Sequence, residues 1–144
     1  MRMLWIGLAG AAALLSGAAL ADEAGRVKTV KGDAHIERSG QQVAVAVGTV
    51  IEQSDRLVTG ADGAVGITFR DNSVLSTGPN SVLEISKFAF DSTTHEGVFE
   101  SKLEKGTLSA VSGKIAKQKP EAMRVVTPST ILGVRGTEFF VQVK

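Results

Sequence analysis

The sequence predicts an all-β protein built as a single domain of many short strands. Apolar and polar residues alternate with a period of two, and strand-like runs recur roughly every ten residues. Each run ends at a Gly, Asp, Asn or Pro, which are the residues that favour turns. The chain has 16 Gly but only six Phe, one Trp and no Tyr, which indicates a turn-rich domain with an aliphatic core. We expect a β-helix-like or roll-like stack of strands, with a β-sandwich or a small barrel as the alternative.

The N-terminus has the pattern of a cleavable secretory signal peptide. Arg2 precedes an uncharged run, Met3 to Leu20, which closes on small residues before Asp22. We predict cleavage after Ala21, so that residues 1–21 are the signal and residues 22–144 are the mature domain. The alternative is an uncleaved anchor, because the uncharged run is almost long enough to span a bilayer. No later segment is apolar enough to cross a membrane, so we expect no span in the mature domain.

Composition and charge restrict the compartment and the partners. The chain has no Cys, so an exported form must fold without disulfides and must bury a proper core. The short, Ala-rich leader predicts export to the bacterial periplasm. Loss of Arg2 leaves 15 basic and 15 acidic side chains, a balance that argues against nucleic acid as a partner. The charge is uneven, because residues 100–144 carry 8 basic and 4 acidic side chains.

The strand candidates follow one another from Gly32 onward. In "GAVGITFRDNSVLS" the residues Val65, Ile67 and Phe69 are predicted to face the core, and the chain turns at Asp71-Asn72, where a positive φ is expected. The other strand candidates are "DAHIERSG", "VAVAVG" with its three valines on one face, "SVLEISKFAF", "GVFESKLEKG", "TLSAVSG", "MRVVTPST" and the closing stretch. Two polar segments, "DSTTHEG" and "KIAKQKPEA", break the rhythm and are predicted to be exposed loops. No helix is expected in the mature domain.

No pattern in the sequence predicts catalysis, a metal site or a cofactor. His35 and His95 are the two imidazoles, one on the outer side of a strand and one in a polar loop. The common serine-hydrolase motifs, metal-ligand spacings and the phosphate-binding loop do not occur. We therefore predict that the protein is not an enzyme and holds no cofactor.

The closing stretch "ILGVRGTEFFVQV" contains the candidate binding or structural motif. Gly133 and Gly136 flank Val134-Arg135, where a β-carbon is predicted to clash, and Thr137 and Glu138 are within reach of the guanidinium. The favoured interpretation is a corner of the last strand, tied by Arg135. The alternative is that Arg135 lines a groove and binds a partner's carboxylate or carbonyl group. Phe139, Val141 and Val143 are expected to face the core in either case.

Several motifs in combination carry a family resemblance. They are Gly32-Asp33-Ala34, "DRLVTG" from Asp55, "FRDNS" with Asn72 where a glycine is usual, the "GPNS" turn, and the final "TP" with "GVRGTEF". From about Val27 to Val143 the chain resembles the FecR domain family of bacterial envelope proteins. The resemblance implies a β-rich, non-catalytic periplasmic module.

The best-known FecR relatives join this domain to a membrane helix and a cytoplasmic anti-sigma segment, and they receive a signal from an outer-membrane transporter. This chain begins instead with a predicted cleavable leader, so we expect a stand-alone exported module. Its expected partner is another envelope protein, bound through a strand edge or surface. The alternative partner is a cell-wall polymer, peptidoglycan or exopolysaccharide, bound by the basic C-terminal part of the chain.

Overall fold

A computed structural model describes residues 23–133 and 138–144. These residues form twelve strands, a five-residue helix and one 3₁₀ turn. The first six strands are β1 (Glu23–Lys31), β2 (Ala34–Arg38), β3 (Gln41–Ala44), β4 (Val50–Glu52), β5 (Arg56–Thr59) and β6 (Ala64–Phe69). The others are β7 (Val74–Thr77), β8 (Val82–Phe90), β9 (Gly97–Val111), β10 (Met123–Val126), β11 (Ile131–Gly133) and β12 (Glu138–Val143), with α1 (Lys114–Gln118) and the 3₁₀ turn (Pro120–Ala122) between β9 and β10.

The strands form two sheets that share β9. Sheet A has the order β4-β1-β6-β7-β9-β12, and sheet B has the order β3-β2-β5-β8-β9-β10-β11. Neighbouring strands are antiparallel, except that β9 and β10 run parallel. Because one strand belongs to both sheets, the whole forms a single curled sheet. The prediction of an all-β chain is therefore confirmed. The architecture is a curled, mostly antiparallel half-barrel, not a β-helix, because only β9 and β10 run parallel.

The core lies between the facing sides of the two sheets. Phe69 of sheet A packs against Phe88 and Phe99 of sheet B, with ring centroids 5.6 and 4.5 Å away. The predicted inward faces are confirmed for β6, where Val65 and Ile67 are buried together with Phe69. Aliphatic side chains from both sheets fill the rest of the core, as the scarcity of aromatic residues predicted. Contacts across this core therefore fix the positions of the edge strands.

β9 bends at Gly106 as it passes from sheet B to sheet A. Its first half pairs with β8 and β10, and residues 106–111 pair with β12. Gly106 has a φ of 93°, and a β-carbon there would overlap Ser81. The sequence pattern predicted two separate strands here, "GVFESKLEKG" and "TLSAVSG". That division was wrong, because the glycine bends the strand without ending it.

Three further segments differ from their predicted structure. β1 was not predicted, because Arg and Lys residues interrupt its apolar pattern. Its inward residues Ala24 and Val27 are nevertheless buried. The segment "KIAKQKPEA" is not an exposed loop throughout, since α1 buries Ile115 and Ala116. A helix of five residues is too short to show a 3.6-residue period. The third valine of "VAVAVG", Val47, lies beyond β3 and is 70% exposed.

No helix in the described part of the chain is long and apolar enough to cross a membrane. The predicted signal peptide lies outside the described residues, so cleavage after Ala21 remains a prediction.

Candidate interaction site

The two described residues of the predicted C-terminal motif belong to different sheets. Gly133 ends β11 in sheet B, and Glu138 begins β12 in sheet A; both are exposed. Arg135, Gly136 and Thr137 lie outside the described residues, so the proposed corner and the proposed ligand contact both remain predictions. Among the described residues, no atom lies within 4 Å of the place where a β-carbon on Gly133 would stand. The clash predicted for Gly133 is therefore not found there, because β11 lies at an exposed edge.

β12 is the longest edge strand that the structure describes. It pairs with β9 on one side, and no described strand pairs with its other side. Phe139, Val141 and Val143 pack against the core, which confirms the predicted inward face. Phe140 points away from the core and is 66% exposed. An unpaired edge presents backbone N–H and C=O groups to any incoming extended segment, and an exposed aromatic ring adds apolar surface.

A groove of about 370 Å³ lies beside the last residues of β12. The turn between β10 and β11 forms one wall, and its shape is fixed by Thr127, whose hydroxyl donates to the Thr130 carbonyl at 3.1 Å. Leu132 of β11 and Val141 of β12 supply apolar lining, and Lys144 adds a positive charge at the end. Neither this groove nor the exposure of Phe140 was predicted from the sequence. One signal for Phe140 is present in the sequence. It is a large apolar residue at an outward position of a strand whose inward positions are already apolar.

A buried carboxylate fixes the turn before β5. Asp55 is 2% exposed and accepts hydrogen bonds from Arg38 Nε at 2.8 Å, from Arg38 Nη2 at 2.7 Å and from the Glu52 backbone N–H at 2.9 Å. The guanidinium also donates to the Val50 carbonyl. The bond to Asp55 raises the pKa of Arg38 above its ordinary value, and the nearby charges of Asp55 and Glu52 add to this effect. The ion pair joins β2 to the β4–β5 turn.

A second knot of hydrogen bonds holds the bend of β9. Thr59 Oγ1 donates to the Gly78 carbonyl at 2.7 Å and accepts from the Ser81 N–H at 2.9 Å. The Thr107 N–H donates to Ser81 Oγ at 3.0 Å. Three segments that are distant in sequence therefore meet where the two sheets join.

A third knot ties the β6–β7 hairpin to the end of β9. The Asp71 carboxylate accepts hydrogen bonds from the Ser73 N–H at 3.0 Å, the Ser73 hydroxyl at 2.8 Å and the Ile115 N–H at 3.3 Å. Ser73 Oγ in turn accepts from the Gly113 N–H. Asn72 has a φ of 71°, which confirms the positive φ expected at this turn. Both Asp71 and Ser73 are fully buried.

The loop between β8 and β9 is organised by Asp91. Its carboxylate accepts hydrogen bonds from the backbone N–H groups of Thr93 at 2.8 Å and Thr94 at 3.2 Å. Its carbonyl accepts from the His95 N–H at 2.7 Å, and its own N–H donates to the Glu96 carbonyl. His95 has a φ of 65°, in the left-handed region. The two bonds to Thr93 and Thr94 lower the pKa of Asp91.

The lowered pKa of Asp91 predicts that its contribution to the loop is lost as the pH falls below the ordinary pKa of aspartate. A group whose folded pKa lies below its unfolded value stabilises the fold above the unfolded pKa, and that contribution disappears as the pH falls through the folded pKa. We expect an NMR titration of the Asp91 carboxyl carbon to give a pKa below the ordinary aspartate value. The Thr93 and Thr94 amide signals should move with the same midpoint and should lose that transition in Asp91→Ala. A midpoint at or above the ordinary value would contradict the loop geometry.

Comparison with known proteins decides the family. The family model described as "FecR protein" matches residues 55–144, which is more than half of the chain. The chain belongs to the FecR family. FecR proteins are envelope-associated, and the family consists of signalling and regulatory domains. The match begins at the buried Asp55, so Gly32-Asp33-Ala34 lies outside it, although β1 to β4 are parts of the same two sheets.

One solved structure, described as "Cell surface anchoring domain", is similar to part of this FecR chain. The alignment covers 44% of this chain and 84% of that one at 25% identity, with a TM-score of 0.43. None of the curated proteins compared with the chain matches it.

The FecR motifs in this chain have identifiable structural roles. Asp55 opens "DRLVTG", Thr59 belongs to the same motif, Asp71 and Ser73 lie in "FRDNS", and Ser81 ends "GPNS". Each of these polar side chains is buried and holds a turn or the bend of β9. These motifs therefore stabilise the turns and the bend of β9 in the folded domain.

Proposed function

We propose that this FecR protein is an exported, non-catalytic interaction module of the bacterial envelope that binds an extended segment of another envelope protein along β12. In this proposal the predicted leader directs the chain to the periplasm, where the mature domain acts by binding alone. The observation that carries the proposal is the open edge of β12 with Phe140 exposed on it. Membership of a signalling and regulatory family supports a binding role over a catalytic one.

The geometry at β12 supports strand addition as the mode of binding. An added strand would gain main-chain hydrogen bonds from the free edge, while alternate side chains contact the two faces. Phe140 offers apolar contact on the outer face. The groove between β12 and the β10–β11 turn offers a second contact with Leu132 and a cationic end at Lys144. The partner segment that fits best is therefore extended, partly apolar and negatively charged at one end.

The other described edges fit this role less well. β4 and β11 have three residues each, and β3 has four. β3 begins with two exposed glutamines and offers no large apolar side chain. A long edge with an exposed apolar residue is the arrangement that native proteins normally cover or interrupt, so its presence on β12 favours a partner at this place.

We expect Phe140→Lys to weaken partner binding at least tenfold while leaving the fold intact. Burying a Phe side chain contributes about 1.5–3 kcal/mol, and about 1.4 kcal/mol corresponds to a factor of ten in Kd. A photo-crosslinking residue at position 140, in cells that export the protein, should capture one dominant envelope protein. The partner should then be purified, its Kd measured, and hydrogen exchange followed in the complex. Binding should slow exchange of the β12 backbone amides.

Val47→Lys is the matched control, because Val47 is 70% exposed but lies in the loop between β3 and β4. It should leave the Kd unchanged, and both variants should melt within a few degrees of the parent chain. Arg135→Ala belongs in the same series, since a loss of binding at constant stability would make Arg135 a contact residue. Equal losses for Phe140→Lys and Val47→Lys, or unchanged exchange in β12, would contradict strand addition.

A further inference from the structure

The outward face of β12 carries opposite charges at its two ends. Side chains alternate between the faces of a strand, so four exposed residues share this outward face: Glu138, Phe140, Gln142 and Lys144. Among the described residues, neither Glu138 nor Lys144 forms an ion pair. The open edge is therefore acidic where the strand begins and basic just after it ends, with the Phe140 ring between the two charges.

An edge with this charge pattern is complementary to itself in the antiparallel orientation. In an antiparallel pair, the first residue of one strand lies opposite the last residue of the other. If Val141 lies opposite Val141 of a second copy, Glu138 of each copy lies opposite Lys144 of the other. This register also pairs every residue from 138 to 144. A second copy therefore supplies the segment that fits the edge best, which is extended, partly apolar and negatively charged at one end.

The same register covers the exposed ring. Phe140 lies opposite Gln142 of the second copy, so the two Phe140 residues become diagonal neighbours on one face. Diagonal neighbours in an antiparallel pair are about 7–8 Å apart, which is within reach of aromatic side chains. On the inward face, Phe139 lies opposite Val143, and both are only half-buried in the single chain. Pairing therefore removes apolar surface from water on both faces of the strand.

We propose that two copies of the chain pair along β12, antiparallel and about a two-fold axis at Val141, when no partner segment occupies the edge. The proposal rests on the proposed function, because the second copy and the partner segment compete for the same edge. Sheet A of one copy continues into sheet A of the other. The contact is isologous, so neither copy keeps a free β12 edge.

The dimer is expected to be weak and reversible. One strand from each copy makes a small interface, so its Kd should be of the order of tens of micromolar. A partner segment that binds more tightly then displaces the second copy. Self-pairing in this way protects an aggregation-prone edge until the partner arrives.

The first test is sedimentation equilibrium of the purified chain at about 0.15 M salt, where exposed charges closer than the Debye length still interact. The parent chain should show a concentration-dependent monomer–dimer equilibrium. Glu138→Lys places the new side chain opposite Lys144, and Lys144→Glu places the new side chain opposite Glu138. Each single variant therefore turns two attractive contacts into two repulsive ones. Each should weaken the dimer by about tenfold or more.

An equimolar mixture of the two variants separates pairing from damage to the fold. In the heterodimer the introduced lysine faces the introduced glutamate, and the native Lys144 of one copy faces the native Glu138 of the other. The mixture should recover an affinity close to that of the parent chain. The double variant Glu138→Lys/Lys144→Glu should also recover it, because its homodimer again pairs opposite charges. A substitution that only disturbs the strand would not be restored by either route.

Lys117→Glu and Glu121→Lys are the matched controls, since both residues are exposed and lie outside β12 and its groove. Alone or mixed, they should leave the dimer Kd unchanged. Hydrogen exchange of the β12 amides should slow as the concentration of the parent chain rises. A chain that stays monomeric, a dimer that the single reversals do not weaken, or a mixture that does not recover would overturn the proposal.

The dimer and the partner complex can fail independently. A chain that is monomeric at every concentration, yet gains protection of β12 from the partner, refutes self-pairing and leaves strand addition intact. A charge-dependent dimer in a chain that captures no other envelope protein refutes the proposed function alone. If both proposals hold, adding the purified partner should convert dimers into complexes that contain one copy of the chain. A partner that binds the intact dimer would contradict competition for the edge.

Discussion

Replacing Gly106 with alanine should destabilise the protein by about 2–5 kcal/mol and lower its Tm by about 10 °C or more. Two costs combine at this position. The φ of 93° is unfavourable for any residue with a β-carbon, and the added carbon would overlap Ser81. Relief of the overlap would require movement of Ser81, whose hydroxyl accepts from the Thr107 N–H and whose own N–H donates to Thr59. The substitution therefore strains the bend that joins the two sheets.

Gly48→Ala separates the two costs. Gly48 has a φ of 94°, almost the same as that of Gly106, but nothing lies within 4 Å of the place where its β-carbon would stand. It should lose about 1–2 kcal/mol from backbone strain alone. Urea denaturation of both variants gives the difference, which measures the overlap with Ser81. If the two variants lose the same free energy, the bend at Gly106 has room that the structure does not show.

The same bend shows how far the sequence can predict this fold. Alternation with a period of two identifies a strand and its inward face, as in Val65, Ile67 and Phe69. It does not indicate whether a glycine ends a strand or lets it continue into a second sheet. Gly106 continues the strand because β12 and β8 pair on either side of it, and those partners are distant in sequence. Long-range pairing of this kind leaves no local pattern.

The binding surfaces could be predicted only in part for a related reason. The polar segments "DSTTHEG" and "KIAKQKPEA" were identified separately as breaks in the strand rhythm, but the groove that both line together with Arg70 depends on the folded hairpins. Phe140 belongs to a strand whose inward residues were predicted correctly. Its importance comes from the absence of a described neighbour beyond β12, and strand order cannot be read from one sequence. Strand order, rather than residue type, therefore determines which surfaces are exposed.

The buried carboxylate of Asp71 provides the second large predicted effect. Asp71→Ala should lower the free energy of unfolding by about 3 kcal/mol, because it leaves the N–H groups of Ser73 and Ile115 and the Ser73 hydroxyl without their buried acceptor. The loss should appear in urea denaturation as a lower midpoint with an unchanged slope. Asp62→Ala is the matched control, since Asp62 is exposed and accepts one bond of 3.2 Å from the Asp33 N–H. Its loss should stay below about 1 kcal/mol.

The outcome for Asp71 also tests how the FecR motifs of this chain should be interpreted. A carboxylate that ties the β6–β7 hairpin to α1 affects binding only through the fold, so Asp71→Ala should lose partner binding and stability in the same proportion. At low temperature, where the variant is still folded, its Kd for the β12 partner should match that of the parent chain. A variant that melts normally but fails to bind would instead make "FRDNS" a contact surface. The buried hydrogen bonds around Asp71 and Ser73 argue against that result, because neither side chain is accessible to a partner while the domain is folded.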